Sequence, residues 1–223
     1  MSSYLITTQD EKLCASYLAA GRLVAFPTGT SYGLAADTLQ GYALQRLRNL
    51  KGRLKTKSFT VFMPAQLYDE FLELTASERK ILQQFLDQPL TLLVSPSPRL
   101  AHLAQAGKIG LRVIDHPLMQ KLAEAAPAPL TATSANLSGQ DPCLSIACLT
   151  ETFRNPLPDK QLAEVDPAGS SGTTYDLSLA AILDGGELSA APSTTIAIIE
   201  QGKIRLVRPG SISQQVLQQA LQV

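Results

Sequence analysis

Residues 22–50 read RLVAFPTGTSYGLAADTLQGYALQRLRNL and contain the signals of a strand, a loop and a helix, in that order. The short apolar run RLVAF, closed by Pro27, is typical of a buried strand that runs into a loop. Beyond the loop PTGTSYGL, apolar residues recur at helical spacing, namely Ala43, Leu44, Leu47 and Leu50. A strand–loop–helix unit is therefore predicted to open the fold.

The rest of the chain continues this alternation of strand and helix signals. Strand-like runs are SFTVFMP at 58–64, LTLLV at 90–94, IGLRV at 109–113 and LTAT at 130–133. Thr75 and Glu78 form a capping-box pattern at the start of one intervening helix. Near the end, TTIAIIE and KIRLVR flank a short Gln-Gly-Lys turn, which predicts an antiparallel hairpin before a last helix from Ser213. The pattern predicts an α/β protein with a mixed parallel and antiparallel sheet flanked by helices.

Length and composition fit one domain. The chain has 223 residues, of which 45% are hydrophobic, and a core of that size needs no disulfide or metal to support it. The stretch from about 154 to 176 is rich in proline, glycine, serine and acidic residues, which predicts a long loop. We expect a single domain over residues 1–223 with a loop insertion at about 154–176.

The charges are balanced overall but sorted along the chain. Nineteen basic and nineteen acidic residues give a net charge of zero, which argues against a protein that coats DNA or RNA. Residues 46–57, RLRNLKGRLKTK, nevertheless carry six basic side chains and no acid, whereas residues 151–187 carry seven acids. A solvated helix face would explain the basic run, as would a cleft that binds a small anion.

Several classes of protein are disfavoured. Cys14, Cys143 and Cys148 are odd in number and form no C-x-x-C pair, so neither a disulfide framework nor a zinc site is expected. The sequence starts without a signal-peptide pattern, and no apolar run approaches the roughly 20 residues of a transmembrane helix. We expect a cytoplasmic protein, in a reducing compartment, with no membrane partner.

The motifs of P-loop, dinucleotide-binding, α/β-hydrolase and zincin proteins are absent from the sequence. Polar side chains instead follow the ends of predicted strands, where open α/β sheets bind ligands. They are Thr28, Thr30 and Tyr32 after RLVAF, Arg112 at the end of IGLRV, and Ser134 and Asn136 after LTAT. Together with Lys51 and Arg53, which we expect in a loop, they would form a pocket for phosphate or carboxylate.

Each of these residues also has a purely structural interpretation. The threonines could cap turns, and Ser134 and Asn136 could bond to their own backbone. Arg112 could pair with Asp115. The residues alone leave both interpretations open.

Residues 21–37, GRLVAFPTGTSYGLAAD, resemble the opening motif of the YrdC-like family, the threonylcarbamoyl-AMP synthases. Further segments follow in the family's order over about residues 20 to 212. Lys51-Gly-Arg53 matches the family's K-x-R motif, and GLRV matches its strand with arginine. Residues 133–139 match its TSANxSG motif. ILDGG and Pro192-Ser193-Thr194 match its DGG and PST elements, and Arg208-Pro-Gly matches its closing R-x-G.

The resemblance implies a single α/β domain with a twisted mixed sheet and a concave, positively charged cavity. It implies an enzyme that converts L-threonine, bicarbonate and ATP, carried with Mg²⁺, into threonylcarbamoyl-adenylate and pyrophosphate. That product is the first step towards threonylcarbamoyladenosine in tRNA, so tRNA-modification proteins would act downstream and a weak RNA contact is compatible with the role.

The resemblance also implies roles for matched residues. Thr30, Arg112, Ser134 and Ser193 would contact threonine or its carbamate, and Tyr32 would line the amino-acid pocket. Lys51, Arg53, Asn136 and Arg208 would hold the ATP phosphates and nucleoside. The group Lys51, Arg53, Ser134 and Asn136 would form the catalytic centre.

Two alternatives follow from departures from the family pattern. Gly29 stands where the family has Asp or Glu, and Phe62 stands where several synthases have histidine. Both changes are compatible with a YciO-like paralogue that acts on another acceptor. The other alternative is a nucleotide-binding or RNA-binding module without synthase activity, which net neutrality and an aromatic content of 5% disfavour.

Overall fold

The computed structural model describes residues 5–52, 58–153 and 178–222. Arg53 and the loop insertion expected at about 154–176 lie outside the described residues. The helices are α1 (Glu11–Ala19), α2 (Gly41–Lys51), α3 (Tyr68–Phe71), α4 (Ala76–Gln84), α5 (Pro117–Ala125), α6 (Ile146–Phe153) and α7 (Gln214–Gln222), with 3₁₀ turns at Ala65–Leu67 and Pro98–Leu103. The strands are β1 (Ile6–Thr8), β2 (Leu23–Pro27), β3 (Tyr32–Ala35), β4 (Thr60–Phe62), β5 (Leu72–Glu73), β6 (Leu90–Pro96), β7 (Ile109–Arg112), β8 (Leu130–Thr131), β9 (Thr133–Ser134), β10 (Leu179–Leu183), β11 (Thr195–Glu200) and β12 (Lys203–Arg208).

The strands form two mixed sheets. The first has the order β1-β10-β2-β3-β9, and the second has the order β12-β11-β6-β7-β4-β8, with β5 paired to β6. Each sheet contains both parallel pairs, such as β10 with β2 or β11 with β6, and antiparallel pairs, such as β2 with β3 or β6 with β7. The α/β class with mixed strand pairing is confirmed, and so is the antiparallel β11–β12 hairpin.

The opening segment folds as a tight hairpin rather than as a strand and a long loop. Strand β2 is buried throughout, as its unbroken apolar run predicts, and β3 returns antiparallel to it with Pro27 opposite Tyr32. Only residues 28–31 turn the chain. The expected loop therefore contains a buried strand, which its glycine, tyrosine and hydroxyl content did not indicate.

The segment LTAT forms two short strands instead of one, because the chain crosses between the sheets at Ala132. Strand β8 pairs with β4 in the second sheet, and β9 pairs with β3 in the first sheet, with Ser134 opposite Gly33. The Ala132 N–H donates to Thr60 at 2.8 Å, so the crossing point stays hydrogen-bonded. This crossing holds the two sheets together beside the ends of β2 and β7.

Local sequence signals account for the ends of several helices. Thr75 and Glu78 form the capping box at the start of α4, as predicted. At α5, His116 is the N-cap and Pro117 occupies the first turn, where its missing N–H costs nothing. Gly52 follows the last residue of α2 as its C-cap, in the left-handed conformation that favours glycine.

Cys143 and Cys148 form a disulfide, so the expectation that no disulfide is present is wrong. Their Cα atoms lie 5.5 Å apart because α6 begins between them and returns the chain over Cys143. No spacing rule for metal or redox motifs covers this pair, which is why the sequence did not reveal it. Cys14 is a buried free thiol, and burial raises its pKa to about 12.

No helix in the described part of the chain is long and apolar enough to cross a membrane.

Candidate active site

A cavity of about 770 Å³ lies where the two sheets meet. Its walls come from the β2–β3 hairpin, from β4, β6 and β7 of the second sheet, from the crossing segment and from residues around 190–194. Hydroxyl side chains are prominent in the lining: Thr28, Thr30, Ser31, Thr60, Thr91, Thr133, Ser134, Ser193 and Thr194. Among the described residues, Arg112 and Arg208 are the cationic side chains that line it, and Asp141 is the acidic one. Such a lining offers many hydrogen bonds to a small anionic ligand.

Thr28 shapes the loop that forms one wall. Its hydroxyl donates to the Ser31 carbonyl at 2.8 Å and accepts from the Thr30 and Ser31 N–H groups at 3.2 and 3.3 Å. The structural interpretation of this threonine as a turn cap is therefore right. Thr30 shares a hydroxyl contact with Thr28 at 3.2 Å and stays partly exposed to the cavity.

Tyr32 lines the cavity, but its hydroxyl is engaged by the chain. The phenol is fully buried, donates to the Gly186 carbonyl at 2.8 Å and accepts from the Gly185 N–H at 3.0 Å. Burial raises the pKa of Tyr32, and the bond from Gly185 opposes that rise. Tyr32 thus contributes its buried ring to the cavity wall, and its hydroxyl ties that wall to the backbone of Gly185 and Gly186.

Arg112 stands at the end of β7 with only 5% of its surface exposed. Its guanidinium donates to the Thr194 hydroxyl and to the Asp115 carboxylate. The pairing with Asp115 is therefore real, and Arg112 lines the cavity as well, so the two interpretations of Arg112 are compatible. Burial lowers the pKa of Arg112, Asp115 opposes this effect, and the nearby charge of Arg208 adds to it.

Arg208 is an exposed residue at the end of β12, and it contacts Thr194 as Arg112 does. Its Nε and Nη2 donate to the Thr194 carbonyl at 3.2 and 2.9 Å. Thr194 therefore links the two guanidinium groups, one through its hydroxyl and one through its carbonyl. Ser193, next to it, lies exposed on the cavity wall.

Lys51 is the last residue of α2 and is 2% exposed, so the expectation that it lies in a loop is wrong. Its Nζ donates to the Ser134 carbonyl, to the Asn136 carbonyl at 2.8 Å and to the Asn136 Oδ1 at 2.9 Å. The Ser134 hydroxyl also donates to Asn136 Oδ1 at 2.6 Å. Lys51 and Asn136 thus lie behind Ser134, which is the member of the three that lines the cavity.

The structure therefore brings seven of the sequence-assigned residues to one cavity: Thr28, Thr30, Tyr32, Arg112, Ser134, Ser193 and Arg208. The sequence reasoning gave no site role to Thr194, or to Thr60 and Thr91 of the second sheet. Alternation along the strands could have placed Thr60 and Thr91 on one face, whereas the role of Thr194 depends on two distant arginines.

No group of three or more His, Cys, Asp or Glu side chains within the described ranges is arranged to hold a metal ion. The cavity instead presents hydroxyl and guanidinium groups, which suit phosphate and carboxylate oxygens rather than a bare divalent cation.

Comparison with known proteins identifies relatives of this chain. The Sua5/YciO/YrdC family model, described as telomere recombination, matches residues 16–158. A protein of Vibrio campbellii named threonylcarbamoyl-AMP synthase is 35% identical over 155 residues, covering 66% of this chain and 80% of that protein.

Solved structures share the fold. The crystal structure of Pyrococcus abyssi Sua5 complexed with L-threonine superposes with a TM-score of 0.78 at 25% identity, covering 97% of this chain and 60% of that chain. This chain therefore matches about 60% of the length of that P. abyssi chain. E. coli YciO superposes with a TM-score of 0.70 at 18% identity over 97% of this chain, a likeness of fold alone.

Proposed function

Because this chain belongs to the Sua5/YciO/YrdC family, we propose that it is a threonylcarbamoyl-AMP synthase, a nucleotidyltransferase that uses L-threonine, bicarbonate and ATP. The observation that carries the proposal is the meeting of Arg112 and Arg208 on Thr194 inside a hydroxyl-lined cavity. Asp115 forms an ion pair with Arg112 and accepts a hydrogen bond from Gly29, whereas Arg208 donates to a neutral carbonyl, so a bound anion would add favourable contacts at this point. The threonine complex of the P. abyssi relative supports the choice of amino acid.

The chemistry requires such a site. The threonine amine takes up carbon dioxide derived from bicarbonate and loses a proton, which gives a carbamate. A carbamate oxygen then bonds to the α-phosphorus of ATP while the bond from that phosphorus to the bridging oxygen breaks, and pyrophosphate leaves with its electron pair. Both reactants are anions, so neutralising and positioning them contributes more than a strong protein base.

The residues divide between the two reactants. Arg112, Thr30, Ser134 and Ser193 would hold the threonine carboxylate or carbamate, and Tyr32 would form the wall beside them. Arg208 would hold phosphate oxygens, and the sequence match gives Arg53 the same task. Lys51 and Asn136 would support Ser134 from behind the cavity wall, because their mutual bonds fix the carbonyl and hydroxyl of that residue.

Mg²⁺ would arrive with ATP. It prefers phosphate oxygens and water to an all-protein cage, so the cavity needs no dedicated carboxylate set for it. The product would pass to tRNA-modification proteins in the cytoplasm, and a weak RNA contact belongs to the same proposal.

A YciO-like activity on another acceptor is the second candidate, favoured by Phe62. This residue is fully buried and stacks on Phe26 with ring centroids 4.9 Å apart, so its position offers packing and no titratable group. A different acceptor would still use the Arg112–Thr194–Arg208 arrangement.

Pyrophosphate release tests the proposal. The protein is incubated with Mg-ATP, bicarbonate and L-threonine, then with each omitted or with L-serine in place of threonine. We expect release only with the complete threonine mixture. Equal release with serine, or without any amino acid, would reject the threonine assignment and favour the second candidate.

A matched pair of arginines on β12 tests the cavity itself. Arg208→Gln should lower turnover by about 100-fold, the size of effect seen when one charge-stabilising donor is removed from a transition state. Arg205→Gln is the control, because Arg205 is an exposed residue of the same strand and pairs with Glu200 at the end of β11. Similar turnover in the two variants would contradict the assignment of Arg208.

A further inference from the structure

We infer that Asp115 is a positioning residue that holds Arg112 and the 28–31 loop in one arrangement, and that residue 29 is glycine because this carboxylate fills the space of a side chain there. The inference rests on the proposed function, since it concerns the orientation of the arginine that is proposed to bind threonine. It assigns a role to a residue outside the sequence-derived site.

The Asp115 side chain is buried between two parts of the chain, with 1% of its surface exposed. Its Oδ2 accepts a hydrogen bond from Arg112. Its Oδ1 accepts from the Gly29 N–H at 3.1 Å, a contact between residues 86 positions apart. One carboxylate therefore ties the end of β7 to the loop between β2 and β3.

Gly29 has no room for a side chain. A Cβ atom there would lie 2.6 Å from Asp115 Oδ2, 2.9 Å from its Cγ and 3.0 Å from its carbonyl oxygen. The φ angle of Gly29 is outside the left-handed region, so the requirement for glycine is one of space and not of conformation. Any larger residue at this position would have to displace the carboxylate.

Displacing that carboxylate would release the guanidinium. Arg112 has five N–H donors in a fixed plane, and its bonds to Asp115 and Thr194 hold that plane from two sides. Bidentate binding of a carboxylate depends on the orientation of the plane. The Asp115–Gly29 pair is therefore expected to set the affinity for the amino acid and to leave the affinity for ATP nearly unchanged.

A double-mutant cycle on threonine KM tests the coupling. Asp115→Ala and Gly29→Asp should each raise the KM for threonine by about tenfold, because the first removes the carboxylate and the second displaces it. In the double variant, the carboxylate introduced at position 29 takes the place of the one removed at position 115. Its threonine KM should therefore lie within about threefold of the parent value. The KM for ATP should change less than about twofold throughout.

Two substitutions control for general effects. Gly41→Ala adds a Cβ where no atom lies within 4 Å, and Asp69→Asn removes an exposed carboxylate that pairs with Arg79. Both should retain the parent threonine KM. If the two single effects simply multiply in the double variant, or if the ATP KM rises in parallel with the threonine KM, the positioning role is overturned.

Hydrogen exchange at the Gly29 amide separates this inference from the proposed function. The amide should exchange at least about tenfold faster in Asp115→Ala than in the parent protein, because its acceptor is lost. If the parent protein shows no threonine-dependent turnover, the proposed function fails while this readout still stands. Unchanged exchange of Gly29 in Asp115→Ala would overturn the inference whatever the activity.

Discussion

Lys51 places an ammonium group where almost no water reaches it. A lysine ammonium has three N–H donors, and those of Lys51 meet the Ser134 carbonyl and the carbonyl and side-chain oxygens of Asn136. In return the Lys51 carbonyl accepts from the Ser138 N–H at 2.9 Å. Hydrogen bonding to several acceptors offsets the cost of burying the charge, and it fixes the end of β9 at Ser134 and the loop that follows it.

Replacing Lys51 should therefore affect stability as well as turnover. Lys51→Met keeps the length of the side chain but leaves buried acceptors without a donor, so the free energy of unfolding should fall by about 1–3 kcal/mol. Urea unfolding measures the change, with exposed Lys12→Met as the control. Unchanged stability together with lost turnover would show that Lys51 acts as a phosphate ligand and not as a support for the loop.

At this scale the sequence identified which residue types meet, but not how each is used. Thr30, Arg112 and Ser134 could be assigned to the cavity because they follow predicted strands. The burial of Lys51 and the bridging by Asp115 depend on contacts between residues 83 and 86 positions apart. Local pattern carries no information on such contacts.

Among the elements, the β8–β9 crossing decides where the site forms. The Thr131 hydroxyl accepts from the Ala36 N–H at 2.9 Å and donates to the Leu34 carbonyl at 3.2 Å, so a residue of the second sheet bonds to the first. Thr133 and Ser134 then pair with β3. The sequence LTAT predicts extended chain but does not encode a change of sheet, because both short strands have the same periodicity.

Helix α5 begins beside the site at a titratable cap. The His116 Nδ1 accepts from the Leu118 N–H at 3.1 Å, which requires that nitrogen to be unprotonated. Burial lowers the pKa of His116, and the neighbouring charge of Asp115 opposes the change. The folded protein therefore favours the neutral imidazole that can cap the helix.

This cap should make the protein sensitive to mild acid. The pKa of His116 is lower in the folded than in the unfolded chain, where it is about 6.5, so its contribution to stability is present above that pH and is lost as the pH falls through the folded value. His116→Asn keeps a capping acceptor without the titration and should lose less stability than the parent between pH 7.5 and about 5.

Thermal unfolding at both pH values measures this difference. His102→Gln is the control, because the His102 Nε2 donates to the Thr38 carbonyl at 2.9 Å and caps no helix through an acceptor nitrogen. It should therefore retain the acid loss of the parent protein. Equal acid losses in His116→Asn and the parent would show that the cap does not titrate in this range.

For the whole molecule, a net charge of zero is compatible with a few charged groups gathered at one cavity. Arg112 and Arg208 converge in a cavity of about 770 Å³, a size suited to a small-molecule ligand and not to the length of a nucleic acid. The overall balance of charge therefore argues against a protein that coats DNA or RNA, and it is compatible with a nucleotide bound in the cavity.

The α/β class, the mixed strand pairing and seven of the residues that line the cavity could be predicted from the sequence, because they follow from strand and helix periodicity and from matched motifs. The division into two sheets and the Cys143–Cys148 disulfide could not. Both depend on where the chain changes direction at single residues, Ala132 and the start of α6, and periodicity does not specify those points.

We propose that this cavity joins a carbamate of threonine to the α-phosphorus of ATP. Incubation with ¹³C-bicarbonate, L-threonine and Mg-ATP, followed by mass spectrometry of the adenylate, tests it most directly. We predict a threonylcarbamoyl-adenylate that carries the label and forms in step with pyrophosphate. An adenylate without the label, or ATP consumption without any threonine-containing adenylate, would contradict it.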